Sequence, residues 1–389
     1  MSKLTFRFFT VLALLALSGC DNGDTQQDLG TSSQALQPRN FDQVGGEPWA
    51  NYQVISNPVD KCTNYGRVLA VGEVNGDGKP DIISSLHHAD GTRELDLYWG
   101  NSHSRVTMLN NNKPALDGLG TALRVGAFCP DLEARGDIVV ASAPDYAGGR
   151  GGFGLVYRKP AVKTHRRMTH PDKDAHAGTA FTVADMDGDG KNDLIFQALR
   201  QGKSSIEVQS DFCHGGSDMK ISAYVMGGES FGDVIEAADL DGNGVMEIVS
   251  YDSALKSLVF YRWKAGQLVS SRTALPLEDT VSVNALALSD LDGDGKRDIL
   301  IADAGYAGGK GRIMAYLNSD AGFGESSWQA TGQNNGDGFG YAMVAADLNA
   351  DHVTDLMVGI PRQHAEDDTE AEILVMMGTR DGTLFSKPF

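Results

Sequence analysis

One acidic turn recurs five times along the chain, each time bracketed by apolar runs. The copies read "EVNGDGKPDII" from Glu73, "DMDGDGKNDLI" from Asp185, "DLDGNGVMEIV" from Asp239, "DLDGDGKRDIL" from Asp290 and "DLNADHVTDLM" from Asp347. Successive starts lie 112, 54, 51 and 57 residues apart, so the first interval holds two periods and predicts a sixth copy near residue 129. That copy is present in eroded form. "GTALRVGAFCPDLEARGDIVVASAP" from Gly120 aligns with "GYAMVAADLNADHVTDLMVGIP" from Gly340, with Ala127 and Cys129 where candidate ligands stand elsewhere. A period near 55 residues constrains architecture strongly, because each unit is a supersecondary module that buries its core only by stacking on its neighbours.

Every unit follows one grammar. An alternating apolar run precedes the acidic turn ("RVLAVGEV", "AFTVADM", "NALALSDL"), and a β-rich run follows at once ("DIISSL", "DLIFQAL", "DILIADA"). A Gly-rich or polar connection leads to a third run ("LDLYWG", "LVFYRW", "EILVMMG") and usually a fourth ("RVTMLN", "KISAYV"). Four short strands with turns between them, repeated at this period, are the sequence form of a β-propeller blade. The region after the N-terminal leader has no long amphipathic helical pattern. The expected fold is therefore all-β, a β-propeller over residues 49–389 with six four-stranded blades, or seven if residues 40–60 supply a partial one. "NYQVIS", Asn51 to Ser56, is a candidate strand for closing the ring against the last blade, "TLFSKPF".

The turns carry the spacing of a calcium loop but not of a helical EF-hand. An EF-hand takes ligands from positions 1, 3, 5, 7 and 9 and a bidentate Glu at 12. Position 12 here is Ser84, Phe196, Ser250, Ile301 or Val358, and strands rather than helices are expected on both sides. The reading is a hairpin calcium loop inside each blade, because alternate residues of a tight turn can aim hard oxygens at one point. The candidate side-chain ligands are Glu73, Asn75, Asp77 and Asp81; Asp185, Asp187, Asp189 and Asp193; Asp239, Asp241, Asn243 and Glu247; Asp290, Asp292, Asp294 and Asp298; and Asp347, Asn349, Asp351 and Asp355. The carbonyls of Lys79, Lys191, Val245, Lys296 and Val353 complete the shells. Up to five structural Ca²⁺ are expected, with the loops at 185 and 290 matching every position. Asx turns alone would also favour Asp here, but three or four carboxylates in one turn repel unless a cation sits among them.

The first residues are read as processing signal. Lys3 and Arg7 form a basic start, Phe8 to Leu17 an apolar run, and Leu17-Ser18-Gly19 places small residues before Cys20. The run is shorter than the ~20 residues a spanning helix needs. Residues 1–19 look like a bacterial lipoprotein signal peptide, which makes Cys20 the lipidation site and residues 20–48 a flexible polar tether. The expected location is the bacterial cell envelope, held to the membrane through that lipid anchor and facing periplasm or cell surface. Cys62, Cys129 and Cys213 then permit one disulfide with one thiol left over, in any of three pairings. A net charge of −19 argues against nucleic acid as a partner.

The segment "FGYAMVAADLNADHVTDLMVGIP" and the tandem D-x-D-G-D-G-x-x-D turns resemble the FG-GAP repeats of integrin α-subunit propellers and related bacterial repeat proteins. The resemblance covers roughly residues 60–389 and implies that the calcium loops share one face while partners bind the opposite one. On that opposite face two loops are near copies, "PDYAGGRGG" from Pro144 and "DAGYAGGKG" from Asp303. Tyr146, Arg150, Tyr306 and Lys310 are thus candidate ligand-face residues, against the simpler reading of a hairpin turn retained from duplication. Gly149 to Gly154 matches G-x-G-x-x-G but runs into a strand, not a helix, which argues against a nucleotide site. "THRRMTHPDKDAH" gathers His165, His170, Asp172, Asp174 and His176 at spacings that fit no zinc motif. No nucleophile triad or HExxH is present, so no catalytic residue is assigned. The expected function is a non-catalytic binding module for a protein or glycan ligand. Alternatives are a carbohydrate- or lipid-active enzyme working through propeller loops, and a purely structural envelope protein.

Overall fold

The computed structural model describes residues 52–56, 68–87, 93–99, 105–110, 120–129, 137–159, 161–214, 216–228, 230–272, 274–349, 351–361, 372–380 and 383–385. The segments read above as signal peptide and tether, residues 1–48 with Cys20, and also Cys62, lie outside the described residues.

Six four-stranded antiparallel sheets follow one another along the chain. Blade 1 is Leu69–Gly72, Asp81–His87, Arg93–Tyr98 and Arg105–Asn110, and blade 2 is Leu123–Gly126, Ile138–Ser142, Gly152–Lys159 and Ala161–Thr169. Blade 3 is Phe181–Ala184, Asp193–Arg200, Lys203–Gln209 and Ala223–Met226. Blade 4 is Ile235–Ala238, Glu247–Asp252, Ser257–Lys264 and Gln267–Ser270, with Leu275–Pro276 added beside its third strand. Blade 5 is Ala285–Ser289, Asp298–Asp303, Arg312–Tyr316 and Trp328–Thr331. Among the described residues, blade 6 takes three strands from its own repeat, Met343–Ala346, Asp355–Ile360 and Glu372–Met376. Its outer strand is Tyr52–Ser56 from the other end of the chain, paired from Tyr52↔Met376 to Ser56↔Glu372.

The closing strand lies where the sequence reading places it, but its partner differs. Among the described residues, Thr383–Phe385 of "TLFSKPF" do not pair with it; the third strand of the last unit does. Within "TLFSKPF", Phe385 bridges to Gly378 and is buried between blades 5 and 6. Six blades, not seven, complete the ring, and joining both chain ends within one sheet removes the weakest seam of a closed architecture.

The core is divided into six apolar clusters, one at each junction between neighbouring blades. The sixth joins Leu69 of blade 1 to Met357, Ile373 and Val375 of blade 6, so the ring is closed. This division explains the near-continuous apolar second strands. In Asp298–Asp303 every residue is buried, and alternate side chains serve different neighbours. Ile299 and Ile301 pack in the junction with blade 4, while Leu300 and Ala302 pack in the junction with blade 6. A strand alternates its faces, and both faces here are interior, so the usual polar half of the pattern disappears.

The antiparallel order places first-to-second and third-to-fourth connections at one end of the ring. Second-to-third and fourth-to-first connections lie at the other. The opening residues of the inner strands, among them Leu69, Arg124, Phe181, Glu236, Leu286 and Met343, line a cavity of about 150 Å³ on the axis toward that second end.

Candidate metal centres

All five acidic turns join the first and second strands of blades 1, 3, 4, 5 and 6, so they share one face of the ring. Glycines give the turns their shape. Gly188 and Gly190 have φ of 75° and 83°, and Gly293 and Gly295 have 81° and 89°, in the left-handed region that costs a side chain dearly. In the last turn His352 holds this conformation at φ 64° without being glycine, so that loop is built with local strain.

The acids are arranged by one repeated set of hydrogen bonds. The first carboxylate gathers the backbone of the turn: Asp185 accepts from the N–H of Gly188, Asp189 and Gly190 at 2.9–3.1 Å. Asp290 accepts in the same way from Gly293 at 2.7 Å and Gly295 at 2.9 Å. The fifth residue accepts from the seventh, as Asp189 does from Lys191 and Asp294 from Lys296, both at 2.8 Å. The ninth begins the second strand and is fully buried in Asp81, Asp193, Asp298 and Asp355.

That ninth acid joins two parts of its blade. Asp193 accepts from Met186 N–H at 2.9 Å within the turn and from Asp211 N–H at 3.0 Å after the third strand. Asp298 accepts from Leu291 at 2.7 Å and Asn318 at 2.8 Å, and Asp355 from Leu348 at 2.9 Å and Gly378 at 2.8 Å. These bonds confirm that third-to-fourth connections share the face of the acidic turns. Burial pushes the carboxyls of Asp193, Asp298 and Asp355 up to about 6, and the other acids of each turn add to the shift. Backbone donors oppose that shift without cancelling it. A positive charge among the acids would remove the penalty.

Three turns bring carboxylates into convergence, with ligand oxygens within 4.8 Å of one another: Asp185, Asp187 and Asp193; Asp239, Asp241 and Glu247; Asp290, Asp292 and Asp294. Such groups are compatible with a bound metal. The turn at 239 converges although Glu247 replaces Asp, because the longer side chain still reaches its own turn, accepting from Leu240 N–H at 3.1 Å. In the turns at 73 and 347 an asparagine faces inward with its amide nitrogen, Asn75 to Asp77 at 3.1 Å and Asn349 to Asp351 at 3.0 Å. An oxygen ligand there requires the amide to turn over.

At the eroded turn of blade 2 the described residues combine an apolar contact, a disulfide and one carboxylate, Asp137, which accepts from the Glu73 N–H of blade 1 at 2.8 Å. Ile138 takes the ladder place of the buried ninth acid, opposite Gly126 as Asp193 lies opposite Ala184. Cys129 forms a disulfide with Cys213 of blade 3, which settles the pairing that the sequence leaves open. The adjacent Phe128 carbonyl accepts from Asn192 Nδ2 at 2.9 Å, so this turn also touches the acidic turn of blade 3.

The two near-copy loops lie on the opposite face, between second and third strands of blades 2 and 5. Tyr146, Arg150, Tyr306 and Lys310 are all half-buried, and the loops share left-handed residues at Ala147–Gly148 and Ala307–Gly308. Each clasps the chain entering the next blade: Gly149 and Arg150 carbonyls accept from His176 and Ala177, and Gly309 and Lys310 carbonyls accept from Gly338 and Phe339. These contacts favour a retained structural turn. The residues after Gly151 form a strand, which removes the nucleotide-loop reading. The histidine-rich segment does not converge either, since His170 is buried against Glu207 at 3.0 Å while His176 meets Asp145 at 3.3 Å; the side chain of His165 lies outside the described residues.

Sequence reasoning missed the charges on the axis. Arg124 of blade 2 pairs with Glu236 of blade 4, and Thr182 of blade 3 donates to the same carboxylate at 3.2 Å. Burial raises the Glu236 carboxyl, and Arg124 opposes that shift. The two partners are 112 positions apart, so no local pattern marks them.

Comparison with known proteins agrees with this geometry. A profile of the FG-GAP-like repeat matches residues 239–301 and 290–358, which cover the turns of blades 4, 5 and 6. Integrin alpha-V of Gallus gallus is 26% identical over 238 residues, 60% of this chain. The chain spans only 20% of the length of that relative.

Proposed function

Since this chain is an integrin-like β-propeller built of FG-GAP repeats, we propose that it is a calcium-stabilised, non-catalytic binding module for a protein or glycan partner. We further propose that acylation at Cys20 holds it in the bacterial cell envelope on a polar tether, facing periplasm or cell surface. The observation that carries the reading is the gathering of all five acidic turns on one face. Metals there act as staples, because the ninth acid of a turn already joins the turn to the third-to-fourth connection. The opposite face and the rim are left to a partner. Calcium fits the donor set better than magnesium, since it accepts six to eight oxygens in flexible geometry, whereas magnesium demands a near-ideal octahedron.

Equilibrium dialysis against calcium, followed by elemental analysis, tests the metal reading. At least three Ca²⁺ per chain are expected, one for each convergent group, and a metal content near zero would remove it. Palmitate labelling tests the anchor: acylation should disappear in Cys20→Ser, and its persistence would refute lipidation at that residue.

A further inference from the structure

Tyr224, Met226, Val245 and Leu255 are the exposed large apolar side chains among the described residues, and two of them share one short strand. That strand, Ala223–Met226, is the outer edge of blade 3. Tyr224 is 50% exposed, and the guanidinium of Arg200 stacks over its ring at 4.1 Å.

Arg200 is fixed from behind by a fully buried polar group. Its Nε donates to Glu207 Oε1 at 3.0 Å, and Ser205 Oγ donates to the same oxygen at 3.2 Å. Glu207 Oε2 receives a bond from His170 Nε2 at 3.0 Å. His170 Nδ1 accepts the Asp172 N–H at 3.1 Å, which leaves Nε2 as the nitrogen that donates to Glu207. Burial pushes the Glu207 carboxyl up, but the bonds from His170 and Arg200 outweigh it, so the carboxyl is held below its usual range. Arg200 makes no other hydrogen bond among the described residues, so its two terminal nitrogens remain available. They border an open groove of about 630 Å³ along the rim, lined also by Asp172, Ser222 and Gln267.

A guanidinium oriented by a buried carboxylate and an aromatic ring presents its fork already in position for a bidentate carboxylate. The ring beside it offers apolar surface to the C–H face of a pyranose, and Ser222, Gln267 and Asp172 offer partners for hydroxyl groups. We propose that this groove binds a carboxylate-bearing sugar, a uronic acid residue within a glycan. The inference rests on the binding-module reading and names a ligand class for it. An acidic peptide fits less well, because a chain of net charge −19 with Asp172 at the groove repels a dense run of negative charge. Isolated carboxylates spaced by neutral sugars meet less of that field.

The test is calorimetric titration of the full chain with a tetrasaccharide alternating glucuronic acid and N-acetylglucosamine. Its neutral counterpart, with each carboxyl reduced to hydroxymethyl, and an acidic peptide of equal charge serve as the other arms. Saturable binding of the acidic tetrasaccharide is expected, with affinity about tenfold or more weaker for the neutral form, the loss of one charge-assisted interaction. Arg200→Lys keeps a cation opposite Glu207 but loses the fork, and Tyr224→Ala removes the exposed ring. Each should weaken binding about tenfold while the melting temperature stays near that of the parent. If the lysine variant does not fold, the exposed Tyr224 position remains diagnostic. No saturable binding, equal affinity for the neutral form, unchanged affinity in the folded variants, or preference for the peptide would each overturn the proposal. None of these results depends on calcium stabilisation, so failure here leaves the metal reading standing, and the converse also holds.

Discussion

The turns that open blades 2 and 3 occupy the same position in successive repeats and meet the same demand with different chemistry. In blade 3, Asp185, Asp187 and Asp193 converge, and Asp193 reaches the Asp211 N–H beyond the third strand. In blade 2 Ile138 fills the buried ninth place, Asp137 beside it accepts from the Glu73 N–H of blade 1 at 2.8 Å, and Cys129 reaches across to Cys213. Cys213 is two residues past Asp211, so one connection is held by a carboxylate from its own blade and a disulfide from its neighbour. What persists between the two solutions is a tie from the turn to a third-to-fourth connection. The buried acids of a charged turn are relieved by a cation or by protonation, whereas the covalent tie asks for neither, and the contrast can be measured.

The largest effect is expected from the covalent tie, removed by two substitutions together. Cys129→Ser with Cys213→Ser should cost about 2–5 kcal/mol in denaturant unfolding, the usual loss for a native disulfide closing a long loop. It should also lower the calcium affinity of the turn at 185, because the Asp211 connection loses its second anchor, while the turn at 290 stays as it was. Equal effects on both turns would break the proposed link. Next comes the buried acid. Asp298→Ala leaves the Leu291 and Asn318 N–H groups without their partner but also removes the cost of burying the carboxyl, so a net loss of about 1–3 kcal/mol is expected. A loss below 1 kcal/mol would show that the turn does not hold its blade.

The pH response should separate the two kinds of tie. Asp193, Asp298 and Asp355 have folded values of about 6 against 3.8 when unperturbed. Their folded values are raised, so without metal their contribution is fully present below about 3.8 and lost as pH rises through about 6. In chelator, the melting temperature should therefore fall between about pH 4 and about pH 6.5; in saturating calcium that fall should vanish or reverse. A chelated protein whose melt is flat across this window would contradict the assignment. The smallest effect belongs to the surface pair of Lys191 with Asp211 at 2.9 Å. It is solvent-exposed, and Lys191→Ala should leave the melting temperature unchanged.

Features with a local cause were legible in the sequence. The period, the acidic turns, the apolar second strands and the closing role of "NYQVIS" all follow from short-range pattern, and the sheets and junctions match them. The partner of the closing strand was misplaced because "TLFSKPF" stands last in the final repeat and carries apolar residues, whereas "EILVM" is the strand that Tyr52–Ser56 pairs with. The Cys129–Cys213 link, the Arg124–Glu236 pair and the buried His170–Glu207–Arg200 group were not legible. Each joins separate strands or connections, some of them in different blades, and becomes adjacent only once the sheets and the ring are assembled.

The account turns on whether the acidic turns hold cations that stabilise the ring, and thermal melting of the full chain with excess Ca²⁺, excess Mg²⁺ or chelator tests this most directly. A large rise in melting temperature specific to Ca²⁺ is predicted, since a ligand bound only by the folded state stabilises it by mass action. The same melting temperature in all three conditions would contradict it, and the turns would then be acidic hairpins held by their backbone hydrogen bonds alone.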